Sequence, residues 1–117
     1  MTFFNRYGKP IAYSDDNVNI FAFNGQPLAY IFDDKVYAFN GRHLGWFWDG
    51  WIRDSQGYCV FFNEYATGGP LKPLKRLLPL KGLKRLLPLK GLRRMAGFRP
   101  IKRLAWSNYS DLEFFEQ

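Results

Sequence analysis

From Pro70 to Ala105 every third residue is apolar: Leu71, Leu74, Leu77, Leu80, Leu83, Leu86, Leu89, Leu92, Met95, Phe98, Ile101 and Leu104. The residue before each is Pro, Gly or Arg, and the residue after is usually Lys or Arg. The stretch divides into four nine-residue units, PLKPLKRLL, PLKGLKRLL, PLKGLRRMA and GFRPIKRLA. An α-helix turns about 100° per residue, so a three-residue period walks its apolar positions around the axis. Pro73, Pro79, Pro88 and Pro100 would each also remove a helical hydrogen bond. A strand alternates with period two, which would send these residues to opposite faces in turn. Polyproline II has three residues per turn and suits proline, and in it all the apolar residues fall on one edge. An extended, polyproline-II-like segment is therefore expected, with bends at Gly82, Gly91 and Gly97.

Competing readings are a disordered basic linker, a collagen-like strand and a membrane-active peptide. Disordered linkers are poor in large aliphatics, and collagen needs glycine at every third position. A membrane-active helix needs a steady apolar face, which neither the drift nor the prolines allow. The expectation is that the leucine edge packs, against the rest of the chain or against a second copy.

The net charge of +7 hides a sharp division. Residues 1–69 carry −2, residues 70–105 carry +12 with no acidic side chain, and the last twelve residues carry −3. The basic block Lys72, Lys75, Arg76, Lys81, Lys84, Arg85, Lys90, Arg93, Arg94, Arg99, Lys102 and Arg103 is thus the candidate anion-binding set. Its partner is nucleic acid, an anionic membrane surface, an acidic protein or the acidic parts of this chain. Binding to nucleic acid would be electrostatic and weakly specific, because Phe98 is the only aromatic available for stacking. No apolar run is long enough to span a bilayer, and MTFFNRYGKP lacks a signal peptide's apolar core. Cys59 is the only cysteine, so no internal disulfide forms. A cytoplasmic location is expected, and specialised export remains compatible with these features.

The first half is a second repeat array. Glycines recur at Gly8, Gly25, Gly41 and Gly57, and NIFAFNGQPLAYIFDD aligns without a gap with KVYAFNGRHLGWFWDG. Asn24-Gly25 and Asn40-Gly41 between apolar runs read as two-residue type I′ hairpin turns. Asp33-Asp34 and Asp49-Gly50 read as links between hairpins. That register puts Phe21, Phe23, Leu28, Tyr30 and Phe32 on one face, and Tyr37, Phe39, Leu44, Trp46 and Trp48 on the matching face of the next copy. Ser110-Asp111-Leu112-Glu113 fits a capping box, so a short terminal helix is expected, docked by Phe114 and Phe115. The fold class is all-β: four tandem β-hairpins (1–66), an extended basic segment (67–105) and a short C-terminal tail or helix (106–117).

The AFNG and DD/DG elements, the following ATGGP, the basic triplets and the ending LAWSNYSDLEFF together resemble the bacterial four-fold β-flower proteins. The resemblance spans most of the chain. It implies an architecture of β-hairpin petals and supplies no catalytic residues.

Residue chemistry offers little for catalysis. His43 is the only histidine, so no Ser/His/Asp triad stands out, and it occupies the repeat position of Pro27. Cys59, within Tyr58-Cys59-Val60-Phe61, reads as a buried small hydrophobe. Asp15-Asp16 and Asp33-Asp34 repeat at equivalent junctions and read as turns rather than as a calcium site or an acid–base pair. No Walker-type loop, EF-hand or dinucleotide fingerprint is present, and neither a metal nor a cofactor is implied. Trp46, Trp48 and Trp51 are candidate sugar-stacking residues, with the core as the competing destination. The leading expectation is a non-enzymatic structural or interaction protein that self-associates. The alternatives are an electrostatic binder of nucleic acid and a carbohydrate-binding module.

Overall fold

In a computed structural model describing residues 1–117, eight short strands form one closed antiparallel barrel. They are β1 (Thr2–Phe4), β2 (Pro10–Tyr13), β3 (Asn19–Ala22), β4 (Pro27–Phe32), β5 (Lys35–Tyr37), β6 (His43–Trp48), β7 (Trp51–Arg53) and β8 (Cys59–Phe62). Each strand pairs with its neighbours in sequence, and Phe4 of β1 faces Phe62 of β8 to close the ring. Closure leaves no unpaired sheet edge. The four expected hairpins are present, and they are the petals of the barrel.

The turn chemistry differs from the expectation. Type I′ turns need positive φ at both central residues, and this occurs at the links: Asp33 and Asp34 (φ 49° and 59°), then Asp49 and Gly50 (52° and 83°). At Asn24-Gly25 and Asn40-Gly41 only the glycine has positive φ. There the N–H of Gly25 donates to the Ala22 carbonyl and the N–H of Ala22 to the Gln26 carbonyl, each at 2.9 Å. This is a three-residue turn ending in a left-handed glycine. The same bond pattern recurs at Asn5–Lys9, Ala38–Arg42 and Asp54–Tyr58.

Each hairpin also carries one extra residue near its turn. Pairing steps from Ile20↔Ala29 to Phe21↔Pro27 and skips Leu28. It skips Ile11, Leu44 and Val60 at the equivalent places. A bulge of this kind turns two successive side chains toward one side. Leu28 and Leu44 therefore pack with the interior and not with the aromatic face, which corrects the expected register. The interior cluster comprises Phe3, Ile11, Ile20, Val36, Leu44, Ile52, Val60 and Phe61 among others.

The C-terminal tail plugs this interior. Its helix is a 3-10 turn, Leu112–Glu116, capped by the Asp111 side chain on the Leu112 N–H. Glu113 reaches back to the Ser110 N–H at 2.7 Å, the acidic half of the expected capping box, while the N-cap itself is Asp111 and not Ser110. Phe114 and Phe115 are buried against Phe61 and each other. Gly45 makes the space: a Cβ there would stand 3.0 Å from the Phe114 ring and 2.1 Å from the Arg53 carbonyl. The plug enters from the hairpin-turn end, where the Asn5 side-chain amide holds the Ser110 carbonyl.

The opposite wall of the barrel is aromatic, with Tyr13, Phe21, Phe23, Tyr30, Tyr37, Phe39, Trp46 and Trp48 stacked in neighbouring groups. Residues 70–105 form neither helix nor strand and run as a girdle around this wall. The N–H groups of Arg76, Arg85, Arg94 and Arg103 donate to the carbonyls of Gly8, Gly25, Gly41 and Gly57. One nine-residue unit thus serves one hairpin. At about 3.1 Å per residue nine residues cover about 28 Å, roughly a quarter of the circumference of a disc 36 Å across. The whole molecule measures 36 × 36 × 21 Å.

The leucine edge does not hold the girdle in place. Leu71, Leu74, Leu77, Leu80, Leu83, Leu86, Leu89 and Leu92 are 93–97% exposed, and Phe98 is fully exposed. Residues three apart share an edge: the Lys-type positions turn to the barrel, Gly82 and Gly91 lie against the Asn24 and Asn40 carbonyls, and the Arg position of each unit bonds the barrel through its N–H. Backbone bonds at the hairpin turns and cations on the aromatic wall do the holding, so the apolar edge is left outside. No helix is long and apolar enough to cross a membrane.

Candidate functional site: the basic girdle

The twelve basic side chains of the girdle divide by position in the nine-residue unit. Those in the two Lys-type positions turn to the barrel. Lys75 lies over Phe4, Lys81 over Tyr13 at 4.3 Å, Lys84 over Phe21 at 5.0 Å and Lys90 over Tyr30 at 4.4 Å. Arg93 covers Phe32 at 3.7 Å, while Arg99 lies over Trp46 and Trp48. Lys72 donates to the Ala66 carbonyl at 2.6 Å. Such contacts combine the pull of a ring face on a cation with burial of the aliphatic stem. They explain why the aromatic wall is buried.

The same cations meet the acidic link turns. Lys84 and Lys81 pair with Asp15 at 2.7 and 3.6 Å, Lys102 with Asp49 at 2.9 Å, and Arg99 with Asp34. The hydrogen bond from Lys84, aided by its charge and that of Lys81, outweighs desolvation and holds Asp15 below the usual carboxylate range. Burial opposes ionisation of Asp34, yet hydrogen bonds from Arg99 and Trp48 bring it below that range too. Asp16 points back into its own turn. Desolvation is outweighed by the Asn19 and Val18 N–H groups, the Asn19 amide and the Ser14 hydroxyl, which bring it to about 2.

The Arg position behaves differently. Arg76, Arg85 and Arg94 are exposed, and their side chains join no ion pair, side-chain hydrogen bond or ring contact. Arg103, the fourth of this set, lies over Tyr58 and donates from Nε to the Gln56 carbonyl. The sequence grouped all twelve cations together. The structure separates nine that are engaged by the rest of the fold from three that face solvent.

Trp46, Trp48 and Trp51 are buried, being 2%, 8% and 0% exposed. Their indole faces are occupied by one another, by Arg99 or by Trp106, so they present no platform to a sugar from solvent. His43 is half-buried between Tyr37 and Trp46, and desolvation lowers its pKa. Cys59 is fully buried and its thiol is pushed up to about 11, chiefly by burial. Cys59 is the buried small hydrophobe read from sequence, whereas His43 is drawn into the aromatic wall with its Nε2 buried and unpartnered.

Arg53 was not anticipated. It is fully buried and forms no ion pair. Its guanidinium donates to the carbonyls of Gly57 at 2.8 Å, Arg103 at 2.7 Å and Gly68 at 3.4 Å. It thereby clasps the start and the end of the girdle to the fourth hairpin. The signal was present: Phe4, Phe21 and Tyr37 fill the corresponding pairing position in the other hairpins. A charge in an otherwise aromatic repeat position marks the place where the ring of repeats must be joined. Beside this junction lies an open polar cleft of about 610 Å³ between Asp54–Tyr58 and Trp106–Tyr109. Its carboxylate is already engaged, because Asp54 accepts from the Ser107 hydroxyl at 2.6 Å and from the Gln56 and Tyr58 N–H groups.

Residues 1–115 match the model of the family described as 4-fold beta flower protein. The chain belongs to the 4-fold beta flower family. In this β-flower the fourfold repeat is internal, with four hairpins and four girdle units in one chain. No curated protein and no solved structure matches the chain.

Proposed function

We propose that this β-flower is a non-enzymatic binding module whose contact surface is the apolar edge of the girdle. The barrel is the frame on which that edge is stretched. The observation that carries the reading is the bare row of twelve large apolar side chains, each 69–100% exposed, along a segment bonded to all four hairpin turns. The largest apolar patch of an ordinary monomer spans roughly 300–600 Å² and is often functional. Twelve such side chains in one connected row are a binding surface in their own right. A polyproline-II-like backbone fits this role, since it is stiff and sets its side chains in three straight edges.

Electrostatic binding of nucleic acid is the second reading, favoured by the free side chains of Arg76, Arg85 and Arg94. It leaves the leucines without a role, and Phe98 remains the only aromatic on the edge.

The test is binding of an apolar fluorescent dye to the native protein. Leu80, Leu83 and Leu86 are replaced by Ser in one variant, and Leu89, Leu92 and Met95 are added in a second. The expected result is strong dye fluorescence that falls stepwise across the two variants, with near-UV circular dichroism unchanged. Absence of a dye response in the native protein, or a response indifferent to both variants, overturns the proposal.

A further inference from the structure

Resting on the reading above, we infer that the girdle edge seats on an anionic lipid surface. Three observations converge on that partner.

The first is the polarity of the barrel. Of the seven acidic residues before the girdle, Asp15, Asp16, Asp33, Asp34, Asp49 and Glu64 lie at the link end. The hairpin-turn end carries exposed Arg6, Lys9 and Arg42 at the turns themselves. Its one turn carboxylate, Asp54, is held within the protein by Ser107. The girdle backbone is bonded to these turns, so the apolar residues beside Arg76, Arg85 and Arg94 are carried at the basic end, while Lys81, Lys84, Arg99 and Lys102 reach from it to the link carboxylates. Of the three tail acids, Asp111 and Glu113, near the mouth beside Asn5 and Lys9, are met by Lys9 and by local N–H groups, and Glu116 alone is exposed and unpaired.

The second is the pairing of apolar and cationic groups along the edge. Arg76, Arg85 and Arg94 each immediately precede an exposed apolar residue: Leu77, Leu86 and Met95. Long basic side chains let an apolar neighbour enter the acyl boundary while their own charge stays at headgroup level. Anionic headgroups attract each such cation.

The third is what the alternatives would require. A second copy docked through the same ring would set two basic ends against each other. Nucleic acid would pair the arginines and leave the apolar row in water. A bilayer interface takes both the charge and the apolar edge. Single apolar anchors bind membranes marginally, whereas several acting with basic residues bind stably, and a ring supplies many at once.

The experiment uses the full chain with two vesicle compositions, phosphatidylcholine alone and phosphatidylcholine with roughly a third phosphatidylserine. Co-sedimentation is expected with the second and weak or absent with the first, and high salt reduces it. The variant with Leu80, Leu83 and Leu86 changed to Ser is expected to lose about tenfold or more in partitioning. The variant with Arg76, Arg85 and Arg94 changed to Gln is expected to lose on the order of a hundredfold on the anionic vesicles only. Circular dichroism of both variants checks that the fold is kept, which the exposure of all six side chains makes the expected result.

No binding to anionic vesicles at low salt overturns the inference. So does vesicle binding that is indifferent to the leucine variant. A stable oligomer that hides the edge, or RNA binding lost with the arginine variant while vesicles are ignored, identifies a different partner and also overturns it. The dye measurement above separates the two levels: a positive dye result with no vesicle binding removes the lipid partner and leaves the apolar edge as a binding surface.

Discussion

Single residues set how the girdle and the petals fit together. Gly25 has φ +93°, and a Cβ there would stand 1.9 Å from the Leu83 carbonyl oxygen. Gly25→Ala therefore strains the turn and pushes the girdle away at once. We expect it to destabilise the protein by about 1–3 kcal/mol and to open the chain near Lys84 and Arg85 to trypsin. Thermal melts with a timed digest check this, and an unchanged digest would show that the girdle is not seated on the turn. Acid acts on the residues beneath the girdle. Asp15, Asp16 and Asp34 all have lowered pKa values in the fold, with Asp16 at about 2. A carboxylate whose pKa is depressed by folding contributes stability that is complete above its unfolded value, about 4, and that is lost as pH falls through its folded value. Melting temperature is therefore expected to drop between about pH 4 and pH 2. Asp16→Asn should be less stable at neutral pH and should lose less across that acid range.

At the scale of elements, the girdle clasp and the plug make separate predictions. Arg53 is a buried charge compensated by three carbonyls from distant parts of the chain. Arg53→Ala removes all three bonds and leaves the Gly57 carbonyl only the Arg103 N–H. We expect a loss of about 2–4 kcal/mol, from buried carbonyls left short of a donor and from the lost packing of a fully buried side chain. Early tryptic cleavage at Lys102 and Arg103 should accompany it. Phe114→Ala empties the barrel interior at a fully buried position. The expected loss is about 3–5 kcal/mol, measured by denaturant unfolding, and it should leave the girdle digest pattern unchanged in the folded fraction. A variant that loosened both together would mean that plug and girdle are one cooperative unit. The elements also show what sequence patterning could and could not resolve. The alignment of the repeats displayed four hairpins, because turn glycines and apolar runs recur at fixed spacing. It did not display the extra residue in each hairpin. A two-residue turn put Leu28 and Leu44 on the aromatic face, and the bulge that moves them to the interior depends on strand pairing.

For the whole molecule, the two repeats are tied by length. A unit of nine extended residues spans the arc between adjacent hairpin turns, so a deletion within one unit should throw every later unit out of step. Removal of Leu83, Lys84 and Arg85 preserves the triplet register and shortens the arc. We expect the shortened girdle to detach beyond that point, seen as rapid proteolysis after residue 82, while the native segment 70–105 resists digestion despite its many basic sites. Equal digestion of both chains would show that the girdle is not held as a ring.

The chain by itself determined the things that follow from spacing: four hairpins from the glycine recurrence, a segment that is neither helix nor strand from the three-residue period, and a short C-terminal helical turn. Turn preference and periodicity are local, so they can be read without knowing what lies opposite. Only the tertiary structure decided which edge of the girdle faces the barrel. An extended chain offers three equivalent edges, and burial of leucines would ordinarily be the stronger drive. Here the barrel wall is aromatic and rimmed by carboxylates, and each of its four turns offers a free carbonyl that meets every ninth residue of the girdle. Those groups match the backbone and the cations, so the leucines are carried on the outside.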